Sequence, residues 1–222
     1  MICLSKLLSG QTVDFKGEFI HLELEAPKAQ PCAGRCPPLY FGGLSEPARQ
    51  VAAECADVFL MWPDTEDAVA ALLQDMSTRT DTFQRKLKYG YRAHVIVRET
   101  EGQAMDAARQ LVSKLDDQQG ELIRNKSLDT ASVGVNAQSA LRERADADGF
   151  AEEHLWTGVG RARSGCGAAI VGDPDQVLAK LLSYQKMGIE AFILSGYPHI
   201  EECDLFARYV LPRMDHKKLT LT

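Results

Sequence analysis

Short apolar runs alternate with segments of helical spacing over most of the chain, and this rhythm sets the fold class. Leu39-Tyr40-Phe41, Asp57 to Trp62, Lys88 to Val97 and Ala191 to Leu194 read as strands. Strands that alternate with helices pair in parallel through right-handed crossovers, so the class is α/β. The arrangement is TIM-barrel-type. A closed barrel of that type takes eight strands and about 250 residues. Four strands in 222 residues make a partial barrel with a helical insertion.

Local signals place the helices. Ser45 is suited to cap the helix after the first of these strands, with Ala48, Val51, Ala52 and Cys55 on its buried face. Val69, Leu72, Leu73 and Met76 mark a second helix, and Ala104, Ala107, Ala108, Leu111 and Leu115 a third. Asp173 and Gln176 form a capping box around Pro174, and Gly188 stands where that helix should end. A last helix is expected from about Glu201 to Val210, before Pro212. Val13 to Leu24 alternates around Gly17 and reads either as a short hairpin or as an excursion outside the main sheet. The stretch 116–156 is polar and weakly periodic, and is expected to be a lid-like insertion in an otherwise single domain spanning 1–222.

The net charge of −6 argues against a nucleic-acid or anionic-membrane partner held by bulk charge. An anion must then be held by locally concentrated arginines. No run reaches the length of a membrane helix, and the start lacks signal-peptide architecture, so a cytoplasmic protein is expected. Six cysteines include a Cys32/Cys36 pair without two further ligands at matching spacing. Free thiols are expected, and no metal site.

Three stretches carry the candidate chemistry. Arg92 and His94 lie two apart on a strand and share a face. A guanidinium inside a barrel needs a negative partner, either a carboxylate across the core or a bound anion. This pair suits a site only if the barrel strand ends near Arg92 and the chain runs on above the rim. Arg161 and Arg163 sit between glycine clusters, as solvated loop residues or as a swinging cover. Tyr197 and His199 follow the last strand, where barrel enzymes place functional groups. Gly42-Gly43-Leu44-Ser45 is either a plain tight turn or a phosphate cradle at a helix start. Trp62 reads more readily as core than as pocket lining, and His21, His154 and His216 as surface residues.

Longer matches go further. Pro38-Leu39-Tyr40-Phe41-Gly42-Gly43, His94 to Thr100, Trp156 to Gly160 and Leu194 to His199 resemble the two-component, reduced-flavin-dependent alkanesulfonate monooxygenases of the bacterial luciferase-like superfamily. The resemblance runs from about Gly10 to Asp215 and covers the C-terminal half of such an enzyme, with the first four barrel strands and an early active-site cysteine absent. It implies a TIM barrel that takes reduced FMN (FMNH2) from a separate NAD(P)H-dependent FMN reductase. With O2 it converts an alkanesulfonate to an aldehyde and sulfite. It implies catalytic roles for Arg92, His94, Arg163, Tyr197 and His199, and contacts to the flavin phosphate near Gly43 and Ser45. It leaves a homo-oligomer open, as well as a different flavin or deazaflavin monooxygenase and an inactive split-gene half-barrel.

Overall fold

The computed structural model describes residues 1–28, 35–116, 132–161 and 167–217, together with 118, 120 and 122. In chain order the elements are α1 (Ile2–Leu8), β1 (Val13–Lys16), β2 (His21–Leu24), β3 (Tyr40–Phe41), α2 (Glu46–Cys55), β4 (Val58–Met61), α3 (Glu66–Thr82), β5 (Lys88–Val97) and α4 (Glu101–Val112). They continue with α5 (Val133–Glu143), β6 (Phe150–Glu152), β7 (Leu155–Trp156), β8 (Ala169–Gly172), α6 (Pro174–Met187), β9 (Ala191–Ser195) and α7 (His199–Tyr209). Short 3-10 turns cover Gly158–Arg161 and Leu211–Arg213.

The four expected barrel strands are present as parallel neighbours in the order β3, β4, β5, β9. Their odd-numbered positions on β4 and β5 turn toward the helices. Phe59, Met61, Tyr91 and Ala93 are buried against Ala52, Val69, Met76, Leu181 and Tyr184. The opposite face carries Leu60, Gly90, Arg92, Ala191 and Ile193. It lies open enough that Ile193 and Tyr40 are 42% and 43% exposed. The sheet is therefore a curled half-barrel with one packed and one open side. Expected helix signals are realised in full at α6. Asp173 and Gln176 close the capping box, Gly188 ends the helix at φ +115, and Val177, Leu181 and Tyr184 are wholly buried.

The helices differ in detail from the expected spacing, and the helix expected to include Leu115 ends at Val112. On α2 the buried face is Ala52 and Ala53, with Val51 at 36% exposure. Arg49 reaches Asp75 of α3 at 2.7 Å, which fixes the rotation of α2 and turns its alanines to the sheet. The last helix starts two residues early, at His199, because Pro198 occupies the N-cap. The β1–β2 hairpin forms its own two-stranded sheet, as the alternation indicated.

Strand β5 is longer than a barrel strand and changes neighbours along its length. Residues 88–91 pair with β4 and 90–94 with β9, whereas 94–97 pair with β8. His94 stands in register with both Ala169 and Ser195. The barrel section thus ends at Arg92–His94, and the chain runs on beside β8, which in turn carries the antiparallel β7 and β6.

The described part of the insertion is fastened to this frame. Leu141, Leu155 and Trp156 are buried, and the Gln138 amide donates to the Pro63 carbonyl at 2.8 Å. Glu152 of β6 accepts from the Glu66 backbone N–H at 3.1 Å and from the buried Lys180 ammonium at 2.7 Å. Lys180 also donates to Glu66 at 2.9 Å, and the Ser183 hydroxyl donates to the same carboxylate at 2.7 Å. Removing the lysine would leave two carboxylates facing each other without a counter-charge. Lys180→Met is expected to cost about 3 kcal/mol of unfolding free energy, read from urea denaturation. The Ser183 hydroxyl, and next to it Lys180, hold the Glu66 carboxyl below its ordinary 4.5. A carboxyl lowered in the folded state adds stability above its unfolded pKa and loses it as pH falls through the folded one. Melting temperature should therefore fall more steeply below pH 4.5 in the parent chain than in Glu66→Gln. Equal slopes would remove Glu66 from the acid response.

Candidate functional site

The C-terminal ends of the four parallel strands converge on one rim. β3 ends in Gly42-Gly43-Leu44, β4 in Trp62, the barrel part of β5 at Arg92 and His94, and β9 in Gly196-Tyr197. A cleft of 180 Å³ opens there, lined by Gly42, Gly43, Leu44, Trp62, Arg92 and, from the insertion, Ser132 and Gly134 among others. Arg92 is half-buried in it, and no carboxylate pairs with it among the described residues. Trp62 lies beside it as part of the wall and not of the core, which the sequence reading had weighed the other way. The signal was its place directly after a strand end. Ser132 precedes the first turn of α5 but its hydroxyl makes no cap bond.

Two residues further along the same face of β5, His94 is buried. Its ring stacks on Tyr197 with centroids 5.1 Å apart and planes at 24°. Tyr197 in turn meets His199 edge-on at 4.9 Å. The structure thus brings His94, Tyr197 and His199 into one continuous row above the strand ends. Arg161 lines a separate cleft at the insertion, shared with Arg109, Asp148 and Trp156 among others. Arg163 falls outside the described residues, as does Cys32 of the Cys32/Cys36 pair.

The turn after β3 has the form of a cradle with restrictions. A side-chain carbon at Gly43 would stand 2.8 Å from the Ala48 methyl, so only glycine lets the turn meet α2. Ser45 caps α2, its hydroxyl accepting from the Ala48 N–H at 3.4 Å, a long bond. Pro47 removes one free N–H from the first turn, and Glu46 puts a negative charge there. Gly43, Leu44 and Ser45 offer backbone N–H and hydroxyl donors at this turn.

Cys3, Cys36, Cys55 and Cys203 are free thiols. His21 and His216 are exposed, while His154 is tucked into the β6–β7 turn with Nδ1 3.2 Å from the Val171 carbonyl. Among the described residues no helix is long and apolar enough to cross a membrane, and no three His, Cys, Asp or Glu side chains gather to hold a metal.

The luciferase-like monooxygenase family model matches residues 3–191. The chain belongs to this family. It is 60% identical over 215 residues to a sulfoquinovose monooxygenase of Novosphingobium aromaticivorans, covering 97% of this chain and 59% of that protein. A sulfoquinovose monooxygenase of Agrobacterium fabrum is 49% identical over 205 residues, covering 91% and 53%. The chain therefore spans between half and three-fifths of the length of these relatives. Among solved structures, riboflavin lyase with modified FMN and riboflavin superposes with a TM-score of 0.67 at 13% identity, over 91% of this chain and 48% of that one. That likeness supports the barrel-type fold. A modified FMN is present in that solved neighbour.

The rim depends on a close approach at its glycine hinge. A methyl at Gly196 would meet Cγ of Glu202 at 2.7 Å and the Val95 carbonyl at 3.1 Å. Gly196→Ala is expected to cost about 2 kcal/mol by overpacking, measured by urea unfolding. An unchanged midpoint would show that α7 yields at no cost.

Proposed function

We propose that the chain is the C-terminal part of a two-component monooxygenase that uses reduced FMN and O2 to desulfonate an organosulfonate, releasing sulfite and an aldehyde. The observation that carries this reading is Arg92, a half-buried guanidinium that faces a cleft and has no carboxylate partner among the described residues. A sulfonate is ionised at all physiological pH values, and a guanidinium fork matches its oxygens better than neutral donors do. The similarity to two sulfoquinovose monooxygenases favours a sugar sulfonate, sulfoquinovose, over a plain alkanesulfonate. Trp62 supports the same choice, because an aromatic face beside the guanidinium suits the apolar face of a sugar ring.

FMN, when bound, supplies the oxygen-activating chemistry. Gly43, Leu44 and Ser45 would hold its phosphate at the start of α2. Arg92 would orient the sulfonate, with Trp62 fixing the sugar. His94, Tyr197 and His199 offer protonable groups in one row, and the burial of His94 keeps its ring away from bulk water. The described part of the insertion, with Ser132 and Gly134 on the cleft wall, would cover the bound substrate. An NAD(P)H-dependent FMN reductase would supply the reduced flavin. The exposed Tyr40 and Ile193 on the open side of the half-barrel support placing catalysis in the closed barrel, completed by strands outside these residues.

The test is sulfite release by the complete enzyme with its reductase, with sulfoquinovose compared against octanesulfonate. Turnover of sulfoquinovose at least tenfold better is expected. No sulfite from either compound would end the reading, and a preference for octanesulfonate would return the substrate to the alkanesulfonate class. Loss of a charged hydrogen-bond pair costs about 1.5–3 kcal/mol, so Arg92→Ala should lower kcat/KM by roughly 10- to 100-fold. Trp62→Ala should raise KM for the sugar sulfonate while leaving KM for a short alkanesulfonate unchanged, as read from initial rates of sulfite release.

A further inference from the structure

We infer that Arg98 and Glu202 act as a positioning pair that holds the His94–Tyr197–His199 row in place, a role resting on the site reading above. Glu202, on the first turns of α7, is only 5% exposed. Arg98, directly after β5, grips it with both arms of the guanidinium. Nη2 donates to Oε1 at 2.6 Å and Nη1 to Oε2 at 3.0 Å. Nη1 also donates to the Val97 carbonyl at 2.8 Å, so the fork is anchored to the strand end before it reaches the helix.

The placement of the pair gives it this function. Arg98 follows His94 by four residues, directly after the same strand, and its backbone N–H donates to the Gly172 carbonyl of β8 at 3.3 Å. Glu202 follows His199 by three residues, and its backbone N–H donates to the Pro198 carbonyl at 3.1 Å. The two charges therefore tie together the segments that carry the two ends of the aromatic row. Gly196 is the slack in this tie, since it lets the Glu202 side chain pack over the strand-to-helix turn. At the far end of α7 the Tyr209 hydroxyl donates to Glu99 at 2.9 Å, so adjacent residues after β5 hold both ends of the helix. A bidentate pair of planar groups fixes direction as well as distance. That directional control is what a stack with planes at 24° requires.

Neither residue touches the cleft that holds Arg92. Loss of the pair should leave that cleft and the packed side of the sheet intact and release only the Tyr197 loop. The Tyr91–Tyr184 stack, with centroids 4.3 Å apart on the packed side, serves as an internal control.

The experiment is two-dimensional NMR of the 222-residue chain without flavin or substrate. His94 ring resonances are assigned by their disappearance in His94→Gln. The parent chain should show a cross-relaxation contact between the His94 and Tyr197 rings, and a second between Tyr91 and Tyr184. Arg98→Gln and Glu202→Gln should lose the first contact and keep the second, and so should Arg98→Lys, which preserves the charge but not the planar fork. Retention of the His94–Tyr197 contact in both glutamine variants would overturn the proposal. Loss of both contacts in both glutamine variants would also overturn it, because the pair would then hold the whole fold and not the loop. The readout needs neither flavin nor sulfonate, so it stands or fails separately from the sulfite assay.

Discussion

The two-residue alternation of β5 is the constraint on which the rest of the molecule depends. Successive side chains of a strand point to opposite faces. Tyr91, Ala93, Val95 and Val97 are thereby committed to the packed helical side, where all four are buried. Arg92 and His94 are committed to the other face by the same geometry. A shift of one residue would send the guanidinium into a hydrophobic core and the Tyr91 ring into the cleft. The parallel registers with β4 and β9 hold the strand against such a slip, and the burial of Tyr91 against Tyr184 enforces it energetically.

The same strand joins two structural systems. Its first half belongs to the half-barrel, and its second half to the β8–β7–β6 extension that carries the insertion. His94 stands at the junction, in register with both β8 and β9. A side chain at such a point is screened from solvent by strands on each side, which explains the burial of a polar ring so near a rim. The extension is then locked to the helical layer by Lys180, Glu66 and Glu152, a set of charges whose partners come from α3, α6 and β6. Buried charge of this kind is tolerated only when every member is paired, and the pairing fixes where the insertion sits over the cleft.

The open side of the half-barrel follows from its strand count. Barrel interiors are filled by side chains from all eight strands. With four barrel strands, the inward residues Ile193 and Tyr40 remain exposed. The relatives that match this chain are longer by a comparable amount, since it covers 59% and 53% of them.

Much of this was legible in the sequence. Period-two and helical spacing marked all four barrel strands and α2, α3, α4 and α6, though not α5 in the polar insertion, because hydrophobic burial imposes those periods wherever one face is covered. The capping box at Asp173 and the glycine end at Gly188 were legible because backbone groups at helix ends demand such partners locally. The shared face of Arg92 and His94 followed from spacing alone. Contacts between distant segments were not legible. The stack of His94 on Tyr197, the Arg98–Glu202 fork, the place of Trp62 and Ser132 on one cleft wall, and the rotation of α2 set by Arg49 and Asp75 join residues separated by 26 to 104 positions. Local propensity carries no information about which of many polar side chains will meet across such intervals. Only the closing of the parallel sheet and the fastening of the insertion bring them within reach of one another.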